Sequence, residues 1–167
     1  VQELGTSEST IRRDLDELEA ESKLRRVHGG AESLHFLQEE ESNKEKSIKN
    51  IQVKSKIAIK AAELIKDHDV IFIDAGTTNA LLVQEIVNPT VTVVTNSIHH
   101  ATKLVERNVP TVIIGGKVKS STDASIGGIA LNQIGQLNFD KAFLGMNGID
   151  DEFYSTPDLE VGSVKRA

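Results

Sequence analysis

From Val53 onward, short apolar runs alternate with stretches of helical period. The runs VIFID (70–74), VTVVT (91–95), TVIIGG (111–116) and KAFLG (141–145) are short, continuous and mostly β-branched. That is the pattern of strands buried on both faces. Helical segments lie around and between them. KSKIAIKAAELIKD places Ile57, Ala61, Leu64 and Ile65 on one face, and ALLVQEIV (80–87), SIHHATKLVER (97–107) and GGIALNQIGQL (127–137) follow. A polar loop is expected after Gly116. A last helix is expected to open at Thr156-Pro157, with Thr156 as N-cap and the proline in its first turn. Strands separated by helices predict an α/β fold, a three-layer, mostly parallel sheet over residues 53–167.

Residues 1–30 differ in character, being charge-dense and helical. In SESTIRRDLDELEAES, Ser7 is a candidate N-cap, and Ile11, Leu15 and Leu18 form one apolar stripe. Ser9 and Arg13 point nearly opposite that stripe, flanked by Thr10 and Arg12. Hydroxyls and arginines at the start of a helix suit a reader of the DNA major groove. RRVHGG then predicts a short strand entering a Gly-Gly turn, a wing that would set Arg25, Arg26 and His28 against backbone phosphates. The same arginines also suit an ordinary solvated helix, since Arg12–Asp16 and Arg13–Glu17 are spaced for i,i+4 ion pairs. Residues 31–52, polar and carrying the run Glu39-Glu40-Glu41, are expected to be a linker.

Net charge is −6, which argues against a protein that coats nucleic acid along its whole surface but leaves room for a local reading face. With no cysteine there are no disulfides or thiolate metal sites, and a cytoplasmic location is expected. No apolar run approaches the roughly 18 residues of a membrane span. Both ends read as interrupted helices, so the chain is expected to be truncated at each end.

In open parallel sheets ligands settle beyond the C-terminal ends of the strands. Those ends offer Asp74, Gly76, Thr77, Thr78 and Asn79; Thr95, Asn96 and Ser97; Gly116 and Lys117; and Asn147 and Asp150. Ser125 and Gly127 open a further helix. Free amides at a helix start attract phosphate, glycine lets the backbone approach it, and threonine adds a donor. Asp74 and Asp150 could accept hydrogen bonds from sugar hydroxyls. No G-x-G-x-x-G or Walker loop is present, which disfavours a dinucleotide or ATP, and no G-x-S-x-G turn marks a nucleophile. His99-His100 is a poor metal pair, because adjacent residues diverge on a helix. Lys141 falls at the wrong edge of the sheet for a ligand. No catalytic set and no metal set is expected.

The order of residues adds a resemblance. LGTSESTIRRDLDELEAESKLRRVHGGA resembles the recognition helix and wing of DeoR-type repressors. DVIFIDAGTTNALL, VTVVTNSI, VIIGGKV, DKAFLGMNGID and TPDLEVGSVKRA resemble the effector domain of that family, which is similar to the sugar-phosphate isomerase and CoA-transferase fold. In the related isomerases a Gly-Thr/Ser loop holds phosphate and an acidic segment serves the sugar. Gly76-Thr77-Thr78 and Asn147 to Asp150 stand in those places, and Asn147 replaces an acid there. TNSIHHATKLVER, STDASIGGIAL and DKAFLGMNGID together most resemble repressors of fructose phosphotransferase operons. The resemblance implies a repressor with a partial winged helix-turn-helix at 1–30, a linker at 31–52 and an effector domain at 53–167. Its partners would be operator DNA and a phosphosugar inducer such as fructose 1-phosphate, and it would work as a homo-oligomer, dimer or tetramer. The competing expectation is a sugar-phosphate isomerase or deaminase on the same fold.

Overall fold

The computed structural model describes residues 7–21, 23–27, 29–33 and 42–167. The chain forms two compact units, Val1–Glu39 and Glu40–Ala167.

In the first unit, α1 (Glu8–Ala20) is capped by Ser7, whose side chain accepts a hydrogen bond from the Thr10 amide. Ile11, Leu15 and Leu18 are half-buried, as their spacing predicts, and α1 packs against β1 (Leu24–Val27). β1 pairs antiparallel with β2 (Gly30–Ser33), from Leu24 opposite Ser33 to Val27 opposite Gly30. Gly29 closes the turn at φ +85, a left-handed conformation that glycine adopts without steric cost.

The second unit is built on four parallel strands in the order β5-β4-β3-β8. They are β3 (Val70–Ile73), β4 (Thr92–Thr95), β5 (Thr111–Ile113) and β8 (Lys141–Phe143). Side chains alternate across the sheet as the pleat requires. Ile71, Ile73 and Val93 face one core with Ala58, Leu82, Val83 and Leu104. Phe72 and Val94 face the other, with Ile114, Ile126, Ala130, Ile134, Val161 and Val164. The first core is covered by α3 (Ile51–Ala62), α4 (Thr77–Glu85) and α5 (Ile98–Glu106). The second is covered by α6 (Gly128–Ile134) and α7 (Leu159–Arg166). The chain runs outward from β3 through β4 to β5, then returns to place β8 on β3's other side. That reversal makes the β3/β8 boundary the switch point where such sheets open a crevice.

Four expectations need correction. The segment 31–52 is not all linker. Residues 31–33 belong to the wing, and α2 (Asn43–Ile48) starts with a capping box in which Ser42 and Glu45 satisfy each other's backbone amides. The buried face of α3 is Ala58, with Ala61, Ala62 and Ile65 beside it, while Ile57 and Leu64 are exposed. Small alanines let α3 lie close on α4, which the larger residues would prevent. The cap of α7 is Asp158, which accepts from the Val161 amide at 3.0 Å, not Thr156. The loop after Gly116 is an antiparallel hairpin, β6 (Lys117–Lys119) and β7 (Ala124–Ile126), followed after β8 by a second small hairpin of β9 (Gly148–Ile149) and β10 (Tyr154–Ser155).

Candidate functional site

At the switch point Asp74 leaves the end of β3 almost wholly buried. Its carboxylate accepts from the Gly145 amide at 3.2 Å and from Asn96 Nδ2 at 3.2 Å, and it pairs with the Lys165 ammonium of α7. The carboxylate thereby ties β3, β4, the turn after β8 and α7 together. Asn79 Nδ2 donates to the carbonyls of Asp74 (2.8 Å) and Phe143 (3.0 Å), closing the same floor.

Above this floor lies a cavity of about 340 Å³. One wall is the turn Gly76-Thr77-Thr78 that opens α4. A second is Gly145-Met146-Asn147, and a third is Thr156, Val161 and Lys165. The last comes from the segment read as linker: Asn43, Lys46 and Lys49, with Asn50 and Lys54 where α3 begins. The first turn of α4 borders the cavity, with Asn50 and Lys54 of the α3 start beside it, and the N-cap of α4, Gly76, offers no side-chain cap. The leading amides of α4 face that space, and the helix dipole favours an anion there. Lys54 Nζ reaches Thr77 Oγ1 at 2.9 Å. Thr122 and Thr156 border the cavity, and their buried hydroxyls have no hydrogen-bond partner among the described residues. A buried polar group without a partner is costly, so such atoms mark places where a polar ligand or water completes the structure.

Of the residues expected at the ligand, the cavity gathers Asp74, Gly76, Thr77, Thr78, Asn79 and Asn147. The others do not line it. Thr95 donates to the Ile73 carbonyl at 2.7 Å, and Asn96 Oδ1 accepts from the Ala75 amide at 2.8 Å. Ser97 caps α5 through the His100 amide, and the Ser125 amide donates to the Asn96 carbonyl at 2.7 Å. All four are buried and hold the strand ends in register. Gly116 is required for a different reason: a Cβ there would meet the Ile126 carbonyl at 2.7 Å, so the residue keeps the β6–β7 hairpin closed. Lys117 pairs with Glu160 at 3.0 Å. Gly127, at φ +88, opens the short α6. Asp150 accepts from the Glu152 and Phe153 amides and shapes its own turn. Sequence reasoning missed Asn43, Lys46, Lys49, Asn50, Lys54, Thr122 and Thr156. The signal was the lysine-rich NKEKSIKNIQVK with its Ser42-x-x-Glu45 cap.

The two histidines diverge as expected, His99 exposed and His100 buried. Burial, with the neighbouring His99, holds His100 down to about 4, against a smaller opposing effect of the Gly76 backbone. His100 is therefore neutral at physiological pH. Lys141 lies at the opposite edge and pairs with Asp69 at 2.6 Å, holding that carboxyl below its usual range.

On the first unit, Ser9, Thr10, Arg12 and Arg13 are exposed at the N-terminal half of α1. The Ser7 hydroxyl lies 2.8 Å from those of Ser9 and Thr10. Arg12 pairs with Glu8 at 2.6 Å rather than with Asp16. Asp16 instead takes Arg26, whose amide also donates to Glu19 at 2.7 Å. Arg26 thus fastens wing to helix, a structural use that its expected phosphate contact did not include. Arg25 is exposed on β1. The expected contact of His28 lies outside the described residues.

A parallel four-stranded sheet with a crevice at its switch point, and ahead of it in sequence a helix with a two-stranded hairpin, define a two-part class: an α/β domain carried in one chain with a small winged unit. Residues 49–167 match the family model of the DeoR C terminal sensor domain, and residues 1–36 match the DeoR-like helix-turn-helix domain. The chain belongs to the DeoR family. It is 43% identical over 165 residues to a protein of Bacillus subtilis named as the uncharacterized HTH-type transcriptional regulator FruR, covering 97% of this chain. It is 37% identical over 164 residues to a lactose phosphotransferase system repressor of Staphylococcus aureus, and 35% identical to one of Staphylococcus epidermidis, each over 96% of this chain. The chain spans 65% of the length of these relatives.

Proposed function

We propose that the protein is a cytoplasmic, DNA-binding transcriptional repressor of a sugar-utilisation operon, released from its operator by a phosphosugar. Fructose 1-phosphate is the inducer we favour, on the resemblance of TNSIHHATKLVER, STDASIGGIAL and DKAFLGMNGID to repressors of fructose phosphotransferase operons. The observation that carries the reading is the cavity at the β3/β8 switch point. The uncapped first turn of α4, with Thr77 and Thr78, and the Lys54 ammonium face a common space. This suits a phosphate, with room beside it, along the Thr122 and Thr156 side, for a polyhydroxylated chain.

The same geometry favours a sensor over an isomerase. Asp74, the buried carboxylate of the floor, is engaged by Lys165, Asn96 and Gly145, so it is held as an ion pair and not as a base facing the cavity. Asn147 cannot take up a proton in its place.

On the DNA side, the exposed hydroxyls and arginines of α1 would enter the major groove, and the wing would follow the backbone. A symmetric homo-oligomer, dimer or tetramer, would present recognition helices to paired half-sites. The phosphosugar would bind the DNA-incompetent arrangement more tightly and draw the population to it. The test is a gel-shift titration of the full-length protein on its operator. Fructose 1-phosphate is expected to weaken binding by about 5- to 150-fold, the range of ordinary coupling free energies, while fructose has no effect. Operator affinity indifferent to every phosphohexose would contradict the reading.

A further inference from the structure

The helix α2 has no buried residue of its own. Polar contacts fasten it to the sensor. At its start the Asn43 amide donates to the Ser121 carbonyl at 3.0 Å, and Asn43 Nδ2 donates to the Thr122 carbonyl at 2.8 Å. At its end the Lys46 carbonyl accepts from the Lys54 ammonium, and the same ammonium donates to Thr77 Oγ1 at 2.9 Å. One cation in the first turn of α3 thus joins α2 to the residue that opens α4. Asn43, Lys46, Lys54, Thr77 and Thr122 all border the one cavity. In sequence, α2 is the first element of the sensor after the wing strand β2.

We propose that Lys54 is the positioning residue that reports occupancy of the cavity, and that α2 is the element it moves. The inference rests on the phosphosugar reading of that cavity. An anion seated on the first turn of α4 meets the Thr77 hydroxyl and the Lys54 ammonium at the same point. An ionised phosphate oxygen is a stronger acceptor for an ammonium than a neutral carbonyl. Lys54 turns to the phosphate, the Lys46 carbonyl is left to water, and one of α2's fastenings is removed. With no apolar face of its own to hold it, α2 belongs to the least stable part of the domain and responds to the loss of a single contact. α2 is the first element of the sensor after the wing strand in sequence, so a change there needs no rearrangement of the sheet.

The experiment is hydrogen–deuterium exchange of the full-length protein, alone and saturated with fructose 1-phosphate, with calorimetry on the same samples. In the wild type, amides of residues 44–50 are expected to exchange about 5- to 150-fold faster with ligand, matching a usual coupling free energy, while the amides of β3 and β4 slow or hold. In Lys54→Gln those α2 amides are expected to exchange fast whether or not ligand is present, with fructose 1-phosphate bound about tenfold more weakly, the loss of one charge-assisted hydrogen bond. Lys54→Arg, which keeps charge and donors, restores the ligand response, and Lys60→Gln, on the exposed face of the same helix, leaves it as in the wild type. Saturable binding with α2 exchange unmoved in the wild type overturns this proposal and leaves the phosphosugar reading standing. No binding of any phosphohexose by the wild type overturns both.

Discussion

Asp74 and Thr77 stand three positions apart at one strand end, yet they do opposite work. Asp74 faces inward, and its acceptors are filled by Lys165, Asn96 and the Gly145 amide. Removing a partner from such a buried pair leaves a charge without compensation, so its role is to fix the floor. Thr77 faces the cavity, where its hydroxyl already meets an ammonium. Thr77→Val keeps the shape and deletes the donor. It is expected to weaken fructose 1-phosphate binding about tenfold in calorimetry, with operator affinity unchanged; equal affinity in both proteins would remove Thr77 from the phosphate seat. His100 makes a pH prediction. Its folded pKa of about 4 lies below the unfolded value near 6.5, so between those values the unfolded chain binds a proton that the folded one refuses. The stability it contributes is complete above about pH 6.5 and is lost as pH falls toward 4, on the order of 3 kcal/mol in all. Urea unfolding across that window should show the decline, reduced in His100→Gln. The same slope in both proteins would assign it to other groups.

At the scale of elements, α1 and α2 show what a one-dimensional pattern can reveal. The stripe Ile11-Leu15-Leu18 gave α1's buried side directly, because three large apolar residues at helical spacing leave one solution. It therefore also placed Arg13 on the exposed side. Arg13→Ala in the full-length protein is expected to weaken operator binding by about 1–3 kcal/mol if it reads a base edge, measured by gel shift against a non-specific duplex. Unchanged binding would put the reading face elsewhere on α1. The strands were equally legible, since continuous β-branched runs between helices fit only a sheet covered on both faces. α2 was not, because a helix with no buried residue has no apolar period; only its capping box marked it. In α3 the period misled. Ala61, and Ile65 just beyond the helix, pack against the core as expected, but Ile57 and Leu64 are exposed and Ala58 takes the fully buried place, because which stripe is buried depends on how closely the neighbouring helix must approach. The strand-end turns divided for a similar reason. Thr95, Asn96, Ser97 and Ser125 have the same chemistry as Thr77 and Thr78, and only the positions of β8 and α2 decide which set faces a cavity and which holds the strands together.

For the whole molecule, the sheet's order explains why one crevice forms. Reversal of direction between β3 and β8 parts the connecting segments at that boundary, and α2, α4 and α7 supply its walls. A domain of this kind and a winged helix occur in one chain, so a ligand in the first can govern the second only by favouring one arrangement of the whole. Sensing as proposed requires the cavity to take a phosphorylated sugar in preference to a sugar or phosphate alone. The most direct measurement is a calorimetric titration of the full-length protein with fructose 1-phosphate, beside fructose and inorganic phosphate. The account predicts saturable binding of fructose 1-phosphate, weaker binding of phosphate and none of fructose, with a gain of about 2.7 kcal/mol in unfolding free energy at a hundredfold excess over Kd. Fructose binding as tightly as its phosphate, or no heat and no stabilisation with any phosphohexose, would contradict it.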